Sequence, residues 1–296
     1  MEKSCRLCPR ECGAVRKNAP GFCGCTDRIL VASAQLHLWE EPCICKAPGC
    51  GAVFFSGCPL RCVFCQNHEI SQKACGKEFS VEELSELFLF LQNEKSASCI
   101  DLVSPTPFAP EIAKALKTAK ENGLHIPAVY NTSGYEKPET LKVLEGLADI
   151  YLPDLKYFSA DLSRRYSSAP NYFEIAKNAL SEMFRQTGAA RWENGFLKKG
   201  VIVRHLVLPG AWRDSIRLLD FLFDRFGKSG IVLSLMSQYF PAHRAQDFPE
   251  LNRKLTKLEY QKVVRRAEEL GFEYVYTQSP SSADEKYVPD FLWKDL

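Results

Sequence analysis

Apolar and polar residues alternate along this chain in two ways, and the change between them falls near residue 50. From there onward, short apolar runs at 51–56, 100–103, 126–130, 149–152, 201–208, 231–235 and 272–276 read as buried strands. Amphipathic segments lie between them, at 80–94, 109–122, 138–146, from 171, at 214–226 and from 256. Two of these helices open on capping boxes, Ser80-Val-Glu-Glu83 and Thr256-Lys-Leu-Glu259, and Asn171 reads as the cap of a third. Strands separated by helices imply right-handed crossovers and a parallel sheet, so the fold class is α/β. Six or seven such units are too few for a standard eight-fold barrel. Residues 1–50 lack this periodicity, which sets the expected division: a Cys-rich N-terminal segment at 1–50, the α/β unit at 51–278, and a C-terminal strap at 279–296 bearing Tyr287, Phe291 and Trp293. The loop-like stretch 236–249 follows a strand end and is placed to contact substrate.

Charge excludes one class of partner. With 38 basic and 36 acidic residues in a chain of 296, the net charge of +2 gives no electrostatic reason to expect nucleic acid. The N-terminus lacks an apolar leader core, and no run approaches the eighteen apolar residues of a membrane span, so a cytoplasmic protein without membrane contact is expected. In that compartment thiols stay reduced, and all thirteen cysteines lie in the first 99 residues. Metal ligation by the N-terminal third is therefore favoured over disulfides.

The chemistry concentrates in Cys58-Pro-Leu-Arg-Cys62-Val-Phe-Cys65, directly after the run 51–56. A tetrahedral zinc site wants four protein ligands, whereas a cubane iron–sulfur cluster can take three thiolates and leave one iron open for chemistry. A structural zinc loop borrowing Cys50 or Cys75 is the plainer alternative. Upstream, Cys5-x2-Cys8, Cys12 and Cys23 have the layout of a four-thiolate site, either a structural zinc knuckle or a second iron–sulfur cluster. Cys25, Cys43, Cys45 and Cys50 are left over as free buried thiols or alternative ligands, and His37 and Trp39 read as packing residues.

Cys-x3-Cys-x2-Cys with Phe64 before the last cysteine resembles the cluster loop of the radical S-adenosylmethionine (SAM) superfamily. The longer stretch Phe54 to Asn67, together with Cys5-x2-Cys8-Pro-Arg-x-Cys12 and Glu40-Glu41-Pro42-Cys43-Ile44, is similar to the PflX group related to the pyruvate formate-lyase activating enzyme. The resemblance implies a partial (β/α)6 barrel, a 4Fe-4S cluster on Cys58, Cys62 and Cys65, and SAM chelated at the open iron. It also implies one-electron cleavage of SAM to a 5′-deoxyadenosyl radical that abstracts a hydrogen atom. Phe64 and Asn67 are then expected beside SAM, with Phe64 against adenine.

Strand ends carry the rest of the implied site. Ser104-Pro-Thr106 falls where many relatives have a Gly-Gly-Glu-like segment, and the glutamate is missing. Asn131-Thr132-Ser-Gly is similar to the Asp-Thr-Asn-Gly of the activating enzymes, with one negative charge fewer. Pro153-Asp154-Leu-Lys156 matches their Asp-Leu-Lys, which implies that Asp154 and Lys156 face SAM and the reacting substrate; a salt-bridged pair is the structural alternative. Arg204 and His205 stand at the next strand end, where His205 contacts the ribose or is a core histidine. A reduced flavodoxin or ferredoxin is the implied electron donor, and a glycine of a glycyl-radical protein the implied substrate. Another peptide or small molecule, and a non-catalytic metal-binding or electron-transfer protein, are the alternatives.

Overall fold

The computed structural model describes residues 4–279 and Phe291. Its strands are β1 (Ile29–His37), β2 (Cys50–Phe55), β3 (Lys77–Phe79), β4 (Ile100–Val103), β5 (Ala128–Thr132), β6 (Ile150–Pro153), β7 (Arg191–Glu193), β8 (Phe196–Leu206), β9 (Val232–Met236) and β10 (Val275–Thr277). Its α-helices are α1 (His68–Ser71), α2 (Val81–Asn93), α3 (Ala109–Glu121), α4 (Pro138–Leu141), α5 (Ala160–Ser167), α6 (Tyr172–Thr187), α7 (Trp212–Phe226) and α8 (Lys257–Leu270). The local signals act as chemistry dictates. Ser80 Oγ accepts from the Glu83 amide at 3.1 Å while the Glu83 carboxylate accepts from the Ser80 amide at 2.7 Å, satisfying two orphan donors at the start of α2. Thr256 and Glu259 do the same for α8. Asn171 departs from expectation: it stands before α6, but its side-chain oxygen accepts from the Tyr135 hydroxyl at 2.8 Å rather than capping the helix. The expected helix at 138–146 is a single α turn continued by a 3-10 turn, Lys142–Leu144.

One sheet runs β10-β9-β8-β6-β5-β4-β2-β1-β3, and every pairing from β2 to β10 in this order is parallel. Among the described residues β10 and β2 do not pair, so the curved sheet stays open as a partial barrel. β1 extends the edge antiparallel to β2, although it lies within the N-terminal 50 residues, and its register shifts between Val31 and Ser33. That irregularity interrupts the alternation by which the sequence would have shown a strand.

Alternation along each strand sorts the side chains into two layers. Val53, Phe55, Ile100, Leu102, Val201, Val203, Leu233 and Leu235 join the main core with the helices. Cys50, Cys99, Val129, Ile150, Ile202 and Val232 form a separate apolar floor inside the barrel, with Cys43 and Ile44. The segment linking β1 to β2 contributes these last two, and the Cys43 carbonyl accepts from the Leu197 amide at 2.8 Å across the barrel end. Continuing up the same inward faces, two residues per step, come Asp101, Asn131, Asp154, Arg204 and Ser234. The barrel interior is therefore apolar at its base and polar above it.

Of the expected C-terminal strap, only Ser279 and Phe291 fall among the described residues. Phe291 meets Phe54 edge-on, with ring centroids 5.4 Å apart. Tyr287 and Trp293 lie outside them.

Candidate functional site

The polar interior opens into a cavity of about 410 Å³. Its lining includes Cys58, Cys62 and Cys65 from the loop after β2, and polar residues from the ends of five strands. The loop begins at Gly57, whose φ of +83° lies in the left-handed region. A Cβ at that position would meet the Cys25 sulfur and come within 2.7 Å of the Cys23 carbonyl, so the close approach of the N-terminal segment requires glycine. The three thiols face one another's neighbourhood with separate supports. The Ser167 hydroxyl donates to Cys62 Sγ at 3.0 Å, the Leu60 amide to Cys58 Sγ at 3.4 Å, and Ser71 Oγ lies 3.3 Å from Cys65 Sγ. Burial pushes all three thiols up, Cys65 to about 11, against the pull of the Lys156 ammonium. Thiols held this way ionise when a metal supplies the missing positive charge. Among the described residues no group of three or more His, Cys, Asp or Glu side chains is drawn into metal-binding geometry as it stands, so the fit rests on the shared cavity and the donor set.

A ladder of alternating charge leads away from the thiols. Lys156 Nζ is 2.5 Å from Asp154 Oδ2, Asp154 Oδ1 is 3.2 Å from Arg204 Nε, and Arg204 Nη1 is 3.5 Å from Glu40 Oε2. Arg204 also donates to Asn131 Oδ1 at 2.5 Å, and Asn131 Nδ2 donates to Asp101 Oδ2 at 3.2 Å. Burial alone would raise the Asp154 carboxyl, but Lys156 and Arg204 outweigh it and hold the group low. Burial likewise opposes the charge of Lys156, and Asp154 more than restores it. The expected same-face pair is therefore in contact, and Arg204 extends it.

The structure sorts the other expected residues. Phe64, Asn67, Ser104, Asn131, Thr132 and Arg204 all line the cavity. Phe64 is fixed edge-on by Tyr157 and Tyr239, at centroid distances of 6.5 and 5.9 Å. Ser104 adopts φ +59°, and its amide donates to the Asn131 carbonyl at 3.0 Å. Two expectations need correction. Thr106 does not line the cavity: its hydroxyl donates to Glu136 Oε1 at 2.5 Å inside the wall. His205 faces the helix layer because strand alternation gives the cavity to Arg204 and Leu206. It is a core histidine, with Nδ1 2.7 Å from the Leu155 carbonyl and its pKa lowered by burial to about 4. Thr132 borders the cavity, yet its hydroxyl also donates to Glu136, at 2.5 Å.

Sequence reasoning missed Glu136, which reads as an ordinary charged residue after a glycine turn. It is fully buried, accepts from Thr106 and Thr132, and burial raises its carboxyl to about 7. It also gave no site role to His37, Trp39, Glu40 and Glu41, which line the cavity. The Glu40-Glu41 pair was visible in sequence; its position inside a barrel was not.

The N-terminal thiols gather beside this site. The Gly21 Cα carries no side chain where a Cβ would lie 3.2 Å from Cys12 Sγ and 3.7 Å from Cys23 Sγ, a cradle that the sulfurs need empty. Cys8, its thiol raised to about 12 chiefly by burial, also feels Cys23 and Cys5. Cys5, Cys8, Cys12 and Cys23 thus lie near one another, although among the described residues they do not stand in metal-binding geometry. Arg10, between Cys8 and Cys12, donates to the Pro59 carbonyl at 2.7 Å and stacks on Phe22 at 4.3 Å, while Arg61 covers the same ring at 5.0 Å. These contacts stitch the N-terminal segment to the loop after β2. Cys25 adjoins this group: its thiol is in hydrogen-bonding contact with Cys23, and its sulfur lies 3.1 Å from the Ser56 carbonyl.

Comparison with known proteins agrees with this geometry. The family model of the Radical SAM superfamily matches residues 52–211, more than half of the chain, and the chain belongs to that superfamily. A 4Fe-4S cluster and SAM are the cofactors that membership implies. Within it, the relatives include pyruvate formate-lyase activating enzymes. That of Escherichia coli K12 is 24% identical over 61% of this chain and 70% of its own length. An uncharacterized protein of Methanocaldococcus jannaschii is 29% identical over 93% of this chain and 77% of its own. The crystal structure of HydG, a maturase of the [FeFe]-hydrogenase, shares the fold with a TM-score of 0.51 and 15% identity, over 74% of this chain and 48% of that one. No helix among the described residues is long and apolar enough to cross a membrane.

Proposed function

We propose that Cys58, Cys62 and Cys65 hold the 4Fe-4S cluster and that SAM binds beside them, against Phe64, Asn67, Ser104, Asn131 and the Asp154–Lys156–Arg204 ladder. The observation that carries this reading is the opening of all three thiols and the ladder into one cavity. The chemistry supplied there is one-electron cleavage of the SAM sulfonium to methionine and a 5′-deoxyadenosyl radical, which takes a hydrogen atom from a bound substrate. The chain's own residues bind, orient and keep out water. Lys156 offers an ammonium to a carboxylate while Asp154 fixes its position. Phe64 gives an aromatic surface already immobilised by two tyrosines. Arg204 and Asn131 hold each other, so both present polar atoms at low entropic cost.

A glycine in a separate glycyl-radical protein is the substrate suggested by the activating-enzyme relatives, with reduced flavodoxin or ferredoxin as electron donor. The four N-terminal thiols bind a second metal centre, zinc or iron–sulfur, distinguished by metal analysis of the protein against a Cys8→Ser variant. The assignment of the cluster site is tested by electron paramagnetic resonance of the reduced, reconstituted protein. Adding SAM shifts the signal of a cluster with an open iron; a signal indifferent to SAM in protein that retains three cluster cysteines overturns the assignment.

A further inference from the structure

The charge ladder has more acid than base. Counting from the thiols, Lys156, Asp154, Arg204 and Glu40 form two pairs that balance. Glu41 and Asp101 remain beyond them. Glu41 lines the cavity and is 8% exposed, and Asp101 is fully buried. Among the described residues lining the cavity, the lysine and arginine are Lys156 and Arg204, both already engaged. Asp101 shares the inward face of β4 with Val103, which lines the cavity, but it lies behind the lining, with its carboxyl against that of Glu40. Burial also raises both acids, Glu41 to about 7, with Glu40 adding in each case and Arg204 offsetting part of the shift. Glu41 thus stands at the cavity wall beyond the paired ladder, with Asp101 buried behind it.

Aromatic surface accompanies them. Trp39, next in sequence to Glu40, lines the cavity and is 66% exposed, and Phe54 and Phe240 line it as well. Carboxylates backed by aromatic faces select positive charge attached to an apolar stem.

We propose that this end of the cavity receives an alkylammonium or guanidinium group of the substrate, with Glu41 accepting its hydrogen bond and Trp39 bordering its stem. The proposal rests on the radical SAM reading of the thiol end and adds the substrate's class: an amine or guanidine, borne by a basic side chain of a peptide or by a small free molecule. It gives a purpose to the Glu40-Glu41 pair, which the cluster and SAM leave unexplained.

The test is equilibrium binding to the cluster-loaded protein under anaerobic conditions, by calorimetry, with SAM present. The probes are agmatine and cadaverine as free amines, the Nα-acetyl N-methylamides of lysine and arginine as peptide side chains, and the norleucine counterpart as neutral control. At least one cationic probe binds about tenfold or more tighter than the norleucine compound, and which of the two sets does so identifies the source. Glu41→Gln, which keeps the side chain's shape, removes that preference and leaves SAM affinity unchanged. Trp39→Leu, a change at the exposed rim, weakens the cationic probes in a protein whose buried network is intact. Equal affinity for cationic and neutral probes, or no binding of any cation, overturns the proposal. So does a Glu41→Gln variant that loses SAM instead of the amine, since the acids would then serve the sulfonium. SAM binding by the unmodified protein, measured in the same cells, tests the thiol-end reading separately.

Discussion

Replacing Arg204 by methionine removes the guanidinium at the centre of the ladder while keeping most of the volume. Arg204 makes three charge-assisted contacts, to Asp154 at 3.2 Å, Asn131 at 2.5 Å and Glu40 at 3.5 Å. Its side chain is 17% exposed, so solvent screens these contacts little. At about 1.5–3 kcal/mol for each hydrogen bond to a charged group, their gross loss is about 5–9 kcal/mol. Burying methionine in its place returns about 1.5–3 kcal/mol. The difference is about 2–7.5 kcal/mol, which brackets the range of about 3–5 kcal/mol found on breaking buried ion pairs. The sign of its pH dependence is fixed by the carboxyls left behind. The Asp154 carboxyl, held low by Lys156 and Arg204, contributes stability that is present above its unfolded pKa and lost as pH falls through its folded value. Glu41, raised to about 7, is ionised above that pH and adds to the uncompensated charge. The Arg204→Met penalty is therefore largest near pH 8 and shrinks as pH falls below about 7. Urea unfolding at matched metal loading measures it, and a double-mutant cycle with Asp154→Asn isolates the pair. A penalty under about 1 kcal/mol at alkaline pH, or one that does not change with pH, refutes the reasoning.

Two further substitutions probe other parts of the structure. Gly57→Ala forces a side chain into the left-handed region and against the Cys25 sulfur and Cys23 carbonyl; it costs about 1–3 kcal/mol and lowers the iron bound per chain, both read from unfolding midpoints and iron analysis, whereas wild-type values in both would contradict the packing argument. Glu136 has a folded pKa of about 7 against an ordinary 4.5, so its burial makes the protein lose stability as pH rises through that interval. Glu136→Gln keeps an oxygen for Thr106 and Thr132 and places an amide where Oε2 has no partner. The variant flattens the pH dependence of the unfolding midpoint and matches or exceeds the parent at alkaline pH; an unchanged slope would show that Glu136 is not the buried acid responsible.

Much of the architecture was legible because it is locally encoded. Apolar runs mark β4 and both capping boxes mark their helices, since these signals act within a few residues. β1 was illegible because a register shift breaks its alternation. In the site, the cysteine spacing marked the loop whose three thiols line the cavity, and the two-residue step from Asp154 to Lys156 marked a shared face. Arg204 and His205 were both candidates because neither shows the phase of its strand; only the inward course of Ile202 and Leu206 assigns the cavity to Arg204. Thr106 was misread and Glu136 missed for a different reason. The hydrogen bond between them links separate segments, so a hydroxyl that looks available in sequence is already committed in space. Glu41 reached the barrel interior through the chain's path across the floor, which no local pattern encodes.

The central claim is that three thiols and the ladder beside them form a site for radical cleavage of SAM. The most direct measurement is anaerobic: the reconstituted protein is reduced with dithionite, SAM is added, and 5′-deoxyadenosine is quantified beside a Cys58→Ala, Cys62→Ala, Cys65→Ala variant. The account predicts 5′-deoxyadenosine from the parent protein, rising when an amine substrate is supplied, and none from the variant. A parent protein that carries its cluster and binds SAM, yet yields no 5′-deoxyadenosine with any of the amine probes present, would contradict it.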